Sequence, residues 1–300
     1  MSSNKYFTAF ILVFLAGLIW SFGAVTVRYM DNAHSYVFQY LFYRGIAIAI
    51  ILIIYLFLKE GISFYKNFLR IGISSIFGGI FLATAFTGFI FSITMTTAAV
   101  TLFMLAVMPF IAGLIAYFII GEKLRKMTLI SMIIAFIGVA IMILNQKIGG
   151  GFLGALLGFL SATGFAIYTV SIRWKPSTPK FTTIVLAGIF CAIFSFFIIL
   201  VFYDSYHMPS INAKLSLLHG CIVASGLILY SFGAKYLPSA ELALLSLMEV
   251  VGGILWVWLP IFGINEIPTN STIIGGFLIF MSIIYYSMTI QSNRRFIGLN

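Results

Sequence analysis

Charge is what this sequence has least of. Asp, Glu, Lys and Arg make up 8% of its 300 residues, against about a quarter in an average soluble domain. Only seven residues are acidic, and the three histidines, His34, His207 and His219, are scattered. That leaves no cluster from which a hydrolytic or metal-dependent active site could be assembled. The two cysteines, Cys191 and Cys221, each lie inside an apolar block. They read as small buried hydrophobes, not as a disulfide framework or a metal site. There is no G-x-S-x-G, no H-E-x-x-H and no phosphate loop. The triplet Gly149–Gly151 lacks the Lys and the Ser/Thr such a loop needs. No catalytic residue, no cofactor and no metal is therefore expected, and the chain does not read as an enzyme.

Apolar residues fill the space that charge leaves. They form 62% of the chain, and the mean hydropathy is +1.14. So much apolar surface needs lipid as its solvent, because a span takes about 20 predominantly apolar residues. Breaking the chain at charged and turn residues predicts ten membrane helices, over 7–27, 36–58, 71–92, 98–120, 128–145, 152–172, 181–202, 215–235, 239–262 and 272–290. The N-terminal run is too long for a secretory h-region and has no small-residue cleavage site, so it is expected to stay as the first helix. The connecting segments are short and leave no room for a soluble domain.

The 17 Lys and Arg residues form no run or stripe of the kind nucleic acid would require. They sit at the ends of the apolar blocks instead. With the N-terminus inside, thirteen fall in inner segments. Only Arg28, Lys147 and Lys214 fall outside, and Arg44 lies within a helix. By the positive-inside rule both termini are cytoplasmic, in a bilayer of the bacterial inner-membrane type. Aromatic pairs near the span ends (Tyr203 and Tyr206, Trp256 and Trp258, Tyr285 and Tyr286) read as an interfacial belt.

The second half of the chain resembles the first. Trp20–Arg28 aligns with Phe165–Arg173, and Ala98–Pro109 aligns with Ser239–Val250. Gly121-Glu122 then answers Gly263-Ile-Asn-Glu266. Five helices per half is an odd number, so the halves, 1–147 and 148–300, would cross the membrane in opposite senses. Such inverted repeats enclose a site at the midplane and permit alternating access.

These segments, with Arg44 and the helix-9 stretch Pro238–Val251, resemble the drug/metabolite transporter superfamily, of the EamA type. The resemblance runs over nearly the whole chain. It implies an all-α integral membrane fold of ten helices in a 5 + 5 inverted repeat, and no cofactor. It also implies carriage of small metabolites such as amino acids or amines. Two departures stand out: Met108 where many relatives carry Glu before the proline, and Val250 where they carry Pro.

A charge near the bilayer centre marks function by default. Arg44 and Glu249 are the two that qualify. They either neutralise one another and lock the bundle, or bind substrate or a proton. Burial penalises the charged form of an unpaired carboxyl, a property a proton-coupled carrier can use. Trp20, Gln39, Tyr40, Tyr43, Tyr168 and Tyr230 are the candidate pocket walls, through aromatic faces and polar tips. Each could equally be packing. Pro109 is expected to kink helix 4 as a gating element. Gly150, Gly154, Gly158, Ala162 and Ala166 form a small-residue stripe for close helix packing. Glu241 reads as a solvated helix-start carboxylate, Glu122 and Glu266 as loop-edge residues and His219 as interfacial.

The leading function is a secondary transporter of an amino acid, amine or related zwitterion by alternating access, with export the expected direction. The alternatives are a lipid-active membrane enzyme and a phosphate or nucleotide-sugar antiporter. A lone Arg44 speaks against the antiporter, which would need several buried cations. The expected partners are the bilayer and a small-molecule substrate, with no nucleic acid, and a monomer or homodimer is expected.

Overall fold

The computed structural model describes residues 3–96, 98–143, 152–175, 177–203, 205–264, 267 and 269–296, and within them it is all-helical. The helices are α1 (Ser3–Trp20), α2 (Phe22–Arg28), α3 (Val37–Glu60), α4 (Tyr65–Leu69), α5 (Ile73–Met95), α6 (Ala98–Leu105) and α7 (Met108–Ile120). They continue with α8 (Lys126–Ile143), α9 (Phe152–Trp174), α10 (Lys180–Phe202), α11 (Ser210–Gly233), α12 (Ser239–Ser246), α13 (Met248–Trp258) and α14 (Asn270–Phe296). Among the described residues seven helical stretches are long and apolar enough to cross a membrane, and three shorter apolar segments, 108–120, 126–138 and 273–286, lie in α7, α8 and α14. The expected boundary between halves at 147/148, with Lys147, Gly150 and Glu266, lies outside the described residues.

The apolar residues divide between a core and a lipid-facing belt. Tyr40, Leu41, Leu52, Leu82, Tyr168 and Tyr230 are fully enclosed, whereas Leu58, Phe118, Phe152 and Phe202 stand 73–82% exposed. An aqueous monomer does not leave so much apolar surface bare. Cys191 is buried as expected. Cys221 is exposed on the outer surface of α11, where it does not pack as a buried hydrophobe.

The principal packings join α3 with α10, α5 with α9, α8 with α14, α1 with α11, and α7 with both α9 and α12. Small residues make the closest of these possible. A Cβ on Gly45 of α3 would meet the Gly188 carbonyl oxygen at 2.7 Å and the Ala192 nitrogen at 2.9 Å. A Cβ on Gly188 of α10 would meet the Gly45 oxygen at 2.7 Å and the Ala49 nitrogen at 2.9 Å. The two helices cross backbone to backbone, in the manner of small-residue membrane interfaces. Gly154 and Gly158 of the predicted stripe play the same part, meeting Thr96 and Ser92 at the end of α5.

Three apolar stretches predicted as single helices are broken. The first pauses at Ser21, between α1 and α2. The fourth breaks at Ala106–Val107, and the ninth at Leu247. This corrects the reading of Pro109 as a mid-helix kink. Pro109 is in the first turn of α7, where a missing N–H forfeits no intrahelical bond. The chain is already interrupted before it.

Candidate functional site: a central cavity at two helix breaks

The breaks at Ala106–Val107 and Leu247 face one cavity in the middle of the bundle. Met108 lines it from the start of α7, and Ser246 and Glu249 line it from either side of Leu247. Gly17 of α1 lets the backbone come close here. A Cβ on it would lie 3.1–3.3 Å from Met248, the Ser246 oxygen and the Glu249 nitrogen. Glu249 is in the first turn of α13, where the helix dipole favours a negative charge. It is half-buried.

Arg44 reaches the same cavity from the middle of α3. It is buried, and its Nε and Nη1 have no hydrogen-bond partner. Its guanidinium carbon lies 4.9 Å from the centre of the Phe86 ring, a cation–π contact. Among the described residues no ion pair joins Arg44 to Glu249. A buried guanidinium with two orphan donors is costly. Its two unpartnered donors are free to meet an acceptor that enters the cavity.

Aromatic rings make up the rest of the wall. Trp20, at the end of α1, donates Nε1 to the Val223 carbonyl at 3.2 Å. Its ring meets Phe165 and Tyr230 at centroid distances of 5.5 Å. Gly226 leaves the space that this indole occupies. Phe86, Phe89 and Phe165 complete the lining. The volume open to the centre of a water molecule is about 60 Å³, enough for roughly four to six waters at about 10–15 Å³ each.

Not every candidate residue is in this wall. Arg44, Glu249 and Trp20 line the cavity, while Tyr40, Tyr168 and Tyr230 are buried behind it. Tyr168 stacks on Tyr230 at 6.4 Å, and Tyr230 shares a hydrogen bond with Thr169 at 2.7 Å. Gln39 and Tyr43 lie away from the cavity. Gln39, near the start of α3, donates to the Ser205 carbonyl at 3.2 Å, and Tyr43 packs edge-on against Phe42. Helix rotation explains both, because positions one and five residues from Arg44 turn to other faces.

Three polar residues prove more than the sequence suggested. His219 is not interfacial: it is buried, lines the cavity and shares a 2.6 Å hydrogen bond with Tyr40 through Nδ1. Glu241 is not solvated. It is 1% exposed and accepts bonds from Tyr6 and Tyr286 on one oxygen and from Thr128 at 3.1 Å on the other. Arg125 Nε lies 3.9 Å from it. Glu122 is more than a loop-edge residue, since it pairs with Arg173 and accepts the Ser239 backbone N–H at 2.8 Å. Two carboxylates thus hold the first turn of α12. The aromatic belt is also thinner than expected: Trp256 donates to Ser21 Oγ at 2.7 Å, and Tyr286 is buried on Glu241.

Comparison with known proteins sets this cavity in context. Residues 7–144 match the EamA-like transporter family, which is part of the drug/metabolite transporter superfamily. No curated protein matches the chain. One solved crystal structure of a protein superposes with a TM-score of 0.73 over 95% of this chain and 98% of that one, at 18% identity. At that identity the likeness speaks for the fold alone, and it extends the fold beyond the EamA-like residues. Residues 7–144 thus form an EamA-like domain, and the described residues hold seven helical stretches long and apolar enough to cross a membrane. Among the described residues no group of His, Cys, Asp and Glu is placed to hold a metal ion.

Proposed function

We propose that the protein is a secondary exporter of a small zwitterion, an α-amino acid or close relative, working by alternating access. The observation that carries this reading is Arg44, a buried cation with two unpartnered donors on a cavity that also holds Glu249. A substrate carboxylate satisfies the guanidinium, whose fork matches carboxylate geometry. The substrate ammonium group lies toward Glu249, and its side chain lies among Trp20, Phe86, Phe89 and Phe165. Arg44 and Glu249 feel each other's charge without forming a contact ion pair, so both can turn to a molecule that carries both charges.

The ten predicted spans in two five-helix halves support the alternating-access part. Exchanging the halves turns the α1–α11 packing into the α9–α5 packing. It turns α7–α12 into α13–α6, and it returns α3–α10 and α8–α14 to themselves. The aligned positions Met108 and Glu249 both line the cavity, each at a break. Broken helices around a midplane site are the usual construction of secondary carriers. The charge bias of the loops supports cytoplasmic termini in a bacterial inner membrane. A proton and an ammonium group compete for Glu249, which offers a simple route to proton antiport.

The test is a substrate-resolved uptake and efflux screen in proteoliposomes. Counterflow of an amino acid, lost on decarboxylation to the amine or on N-acylation, is expected. Transport of a cationic amine with no carboxylate, at equal efficiency, would remove Arg44 from the site.

A further inference from the structure

A second cavity, of about 480 Å³, opens at the end of the bundle that carries most of the basic loops. Four lysines line it, each from a different part of the chain: Lys5 at the start of α1, Lys59 at the end of α3, Lys180 at the start of α10 and Lys235 just beyond α11. Among the described residues no carboxylate lines the groove. Glu60 touches its edge, 3.9 Å from Lys59. Like charges gathered in one groove repel, and a single carboxylate at its edge leaves the four lysines with a surplus of positive charge that an anion would offset. The central transport site does not use them.

Aromatic and aliphatic side chains, Phe181, Phe232, Tyr236 and Leu12, line the groove beside the charges. The Lys59 ammonium lies 4.7 Å from the centre of the Phe181 ring and 5.9 Å from that of Phe232. Phe232 is 40% exposed, on a helix whose outer surface faces lipid. The lysines are at helix ends, which is the depth of the headgroups. A soluble anion has no use for the aromatic flank, whereas a phospholipid places its phosphate among the lysines and its glycerol and first methylenes against the rings. Basic pockets between membrane helices hold anionic headgroups in this way.

We infer that this groove is a binding site for the headgroup of an anionic phospholipid. The inference is independent of the substrate and direction proposed above. It needs only the membrane setting.

The full-length protein in phosphatidylcholine nanodiscs, titrated with phosphatidylglycerol and then cardiolipin, provides the test. Native mass spectrometry counts bound lipid, and the thermal midpoint reports stabilisation. Each lysine contributes about fivefold, so Lys59→Gln/Lys180→Gln/Lys235→Gln should weaken binding by on the order of a hundredfold. A control, Lys66→Gln/Lys123→Gln/Lys126→Gln, removes the same charge from exposed positions outside the groove and should bind like wild type. Should the first variant fail to fold, Lys180→Gln/Lys235→Gln replaces it, with a loss of roughly thirtyfold expected. Equal loss in groove and control variants would mean diffuse surface charge and overturn the site. Competition by millimolar inorganic phosphate as effective as by lipid would assign the groove to a free anion and overturn the headgroup.

Discussion

At the scale of single residues, the cavity holds two charges, Arg44 and Glu249, that no contact ion pair joins among the described residues. Removing one partner of a buried ion pair strands the other charge and damages folding, typically by about 3–5 kcal/mol. Arg44 and Glu249 interact through space but form no contact ion pair, and Glu249→Gln is expected to lose less stability than that in a thermal melt. If a proton and the substrate ammonium compete for Glu249, this variant should lose transport driven by a pH gradient while keeping exchange of substrate for substrate. Gradient-driven transport with unchanged pH dependence would make Glu249 a tolerated polar residue. Arg44→Gln should raise KM by about ten- to a hundredfold, the worth of one charged hydrogen bond at about 1.5–3 kcal/mol. Arg44, Glu249 and Trp20 are legible in the sequence because a charge in an apolar helix announces itself and Trp20 is in a repeated segment. His219 and Glu241 are not, since their roles depend on which face of the helix is covered. One lies half-way along α11 with its ring against Gly23, and the other is capped by tyrosines from α1 and α14.

At the scale of elements, the informative features are the crossing of α3 with α10 and the grip on α12. Gly45 and Gly188 see the same surroundings, atom for atom, each meeting the other's carbonyl oxygen and an alanine nitrogen at matching distances. Adding a methyl group at either presses a carbon into the opposite backbone, an overpacking that costs about 1–3 kcal/mol. Gly45→Ala and Gly188→Ala should therefore lower the melting midpoint by similar amounts, and one silent variant would speak against exchange of the halves. The first turn of α12 is held differently. Glu241 takes bonds from α1, α8 and α14, and Glu122 ties the α7–α8 loop to α9 and to Ser239. Its counterpart at the start of α6 has Val100 in place of Glu241 and a hydroxyl pair, Ser92 with Thr101 at 2.8 Å. If the end holding α12 opens during transport, Glu241→Gln should shift the resting population toward that opening. Faster alkylation of a cysteine placed at Ser246 would be the readout, and unchanged labelling would make the cluster purely structural. Neither break is legible in the sequence at its true position. Leu244–Met248 carries no Gly or Pro to announce one, and Pro109 points two residues too late.

At the scale of the whole molecule, the helical class and the span order follow from hydropathy, because lipid leaves the backbone no alternative but internal hydrogen bonding. The short helix 108–120 illustrates why a count of spans is harder to read than their order, since the break at Ala106–Val107 divides an apolar block. Orientation rests on the distribution of charge alone, and it makes a prediction of its own. With both termini and residues 121–127 cytoplasmic, residues 204–212 face outward. Ser205 is a suitable reporter: it is exposed, and its hydroxyl accepts the backbone N–H of nearby His207 at 2.9 Å, a local bond whose loss leaves the helices untouched. The lipid-facing Cys221 must be replaced as well as Cys191, since both thiols are free. In that cysteine-free background, Ser205→Cys should react with an impermeant maleimide added outside intact cells. Lys123→Cys should react only after the membrane is opened. The opposite pattern would invert the molecule, carry the four-lysine groove to the outer leaflet and reverse the sense in which export is read. Labelling of both sites from outside would mean that an even number of spans separates them where hydropathy indicates an odd one, and the two-halves architecture would fall with it.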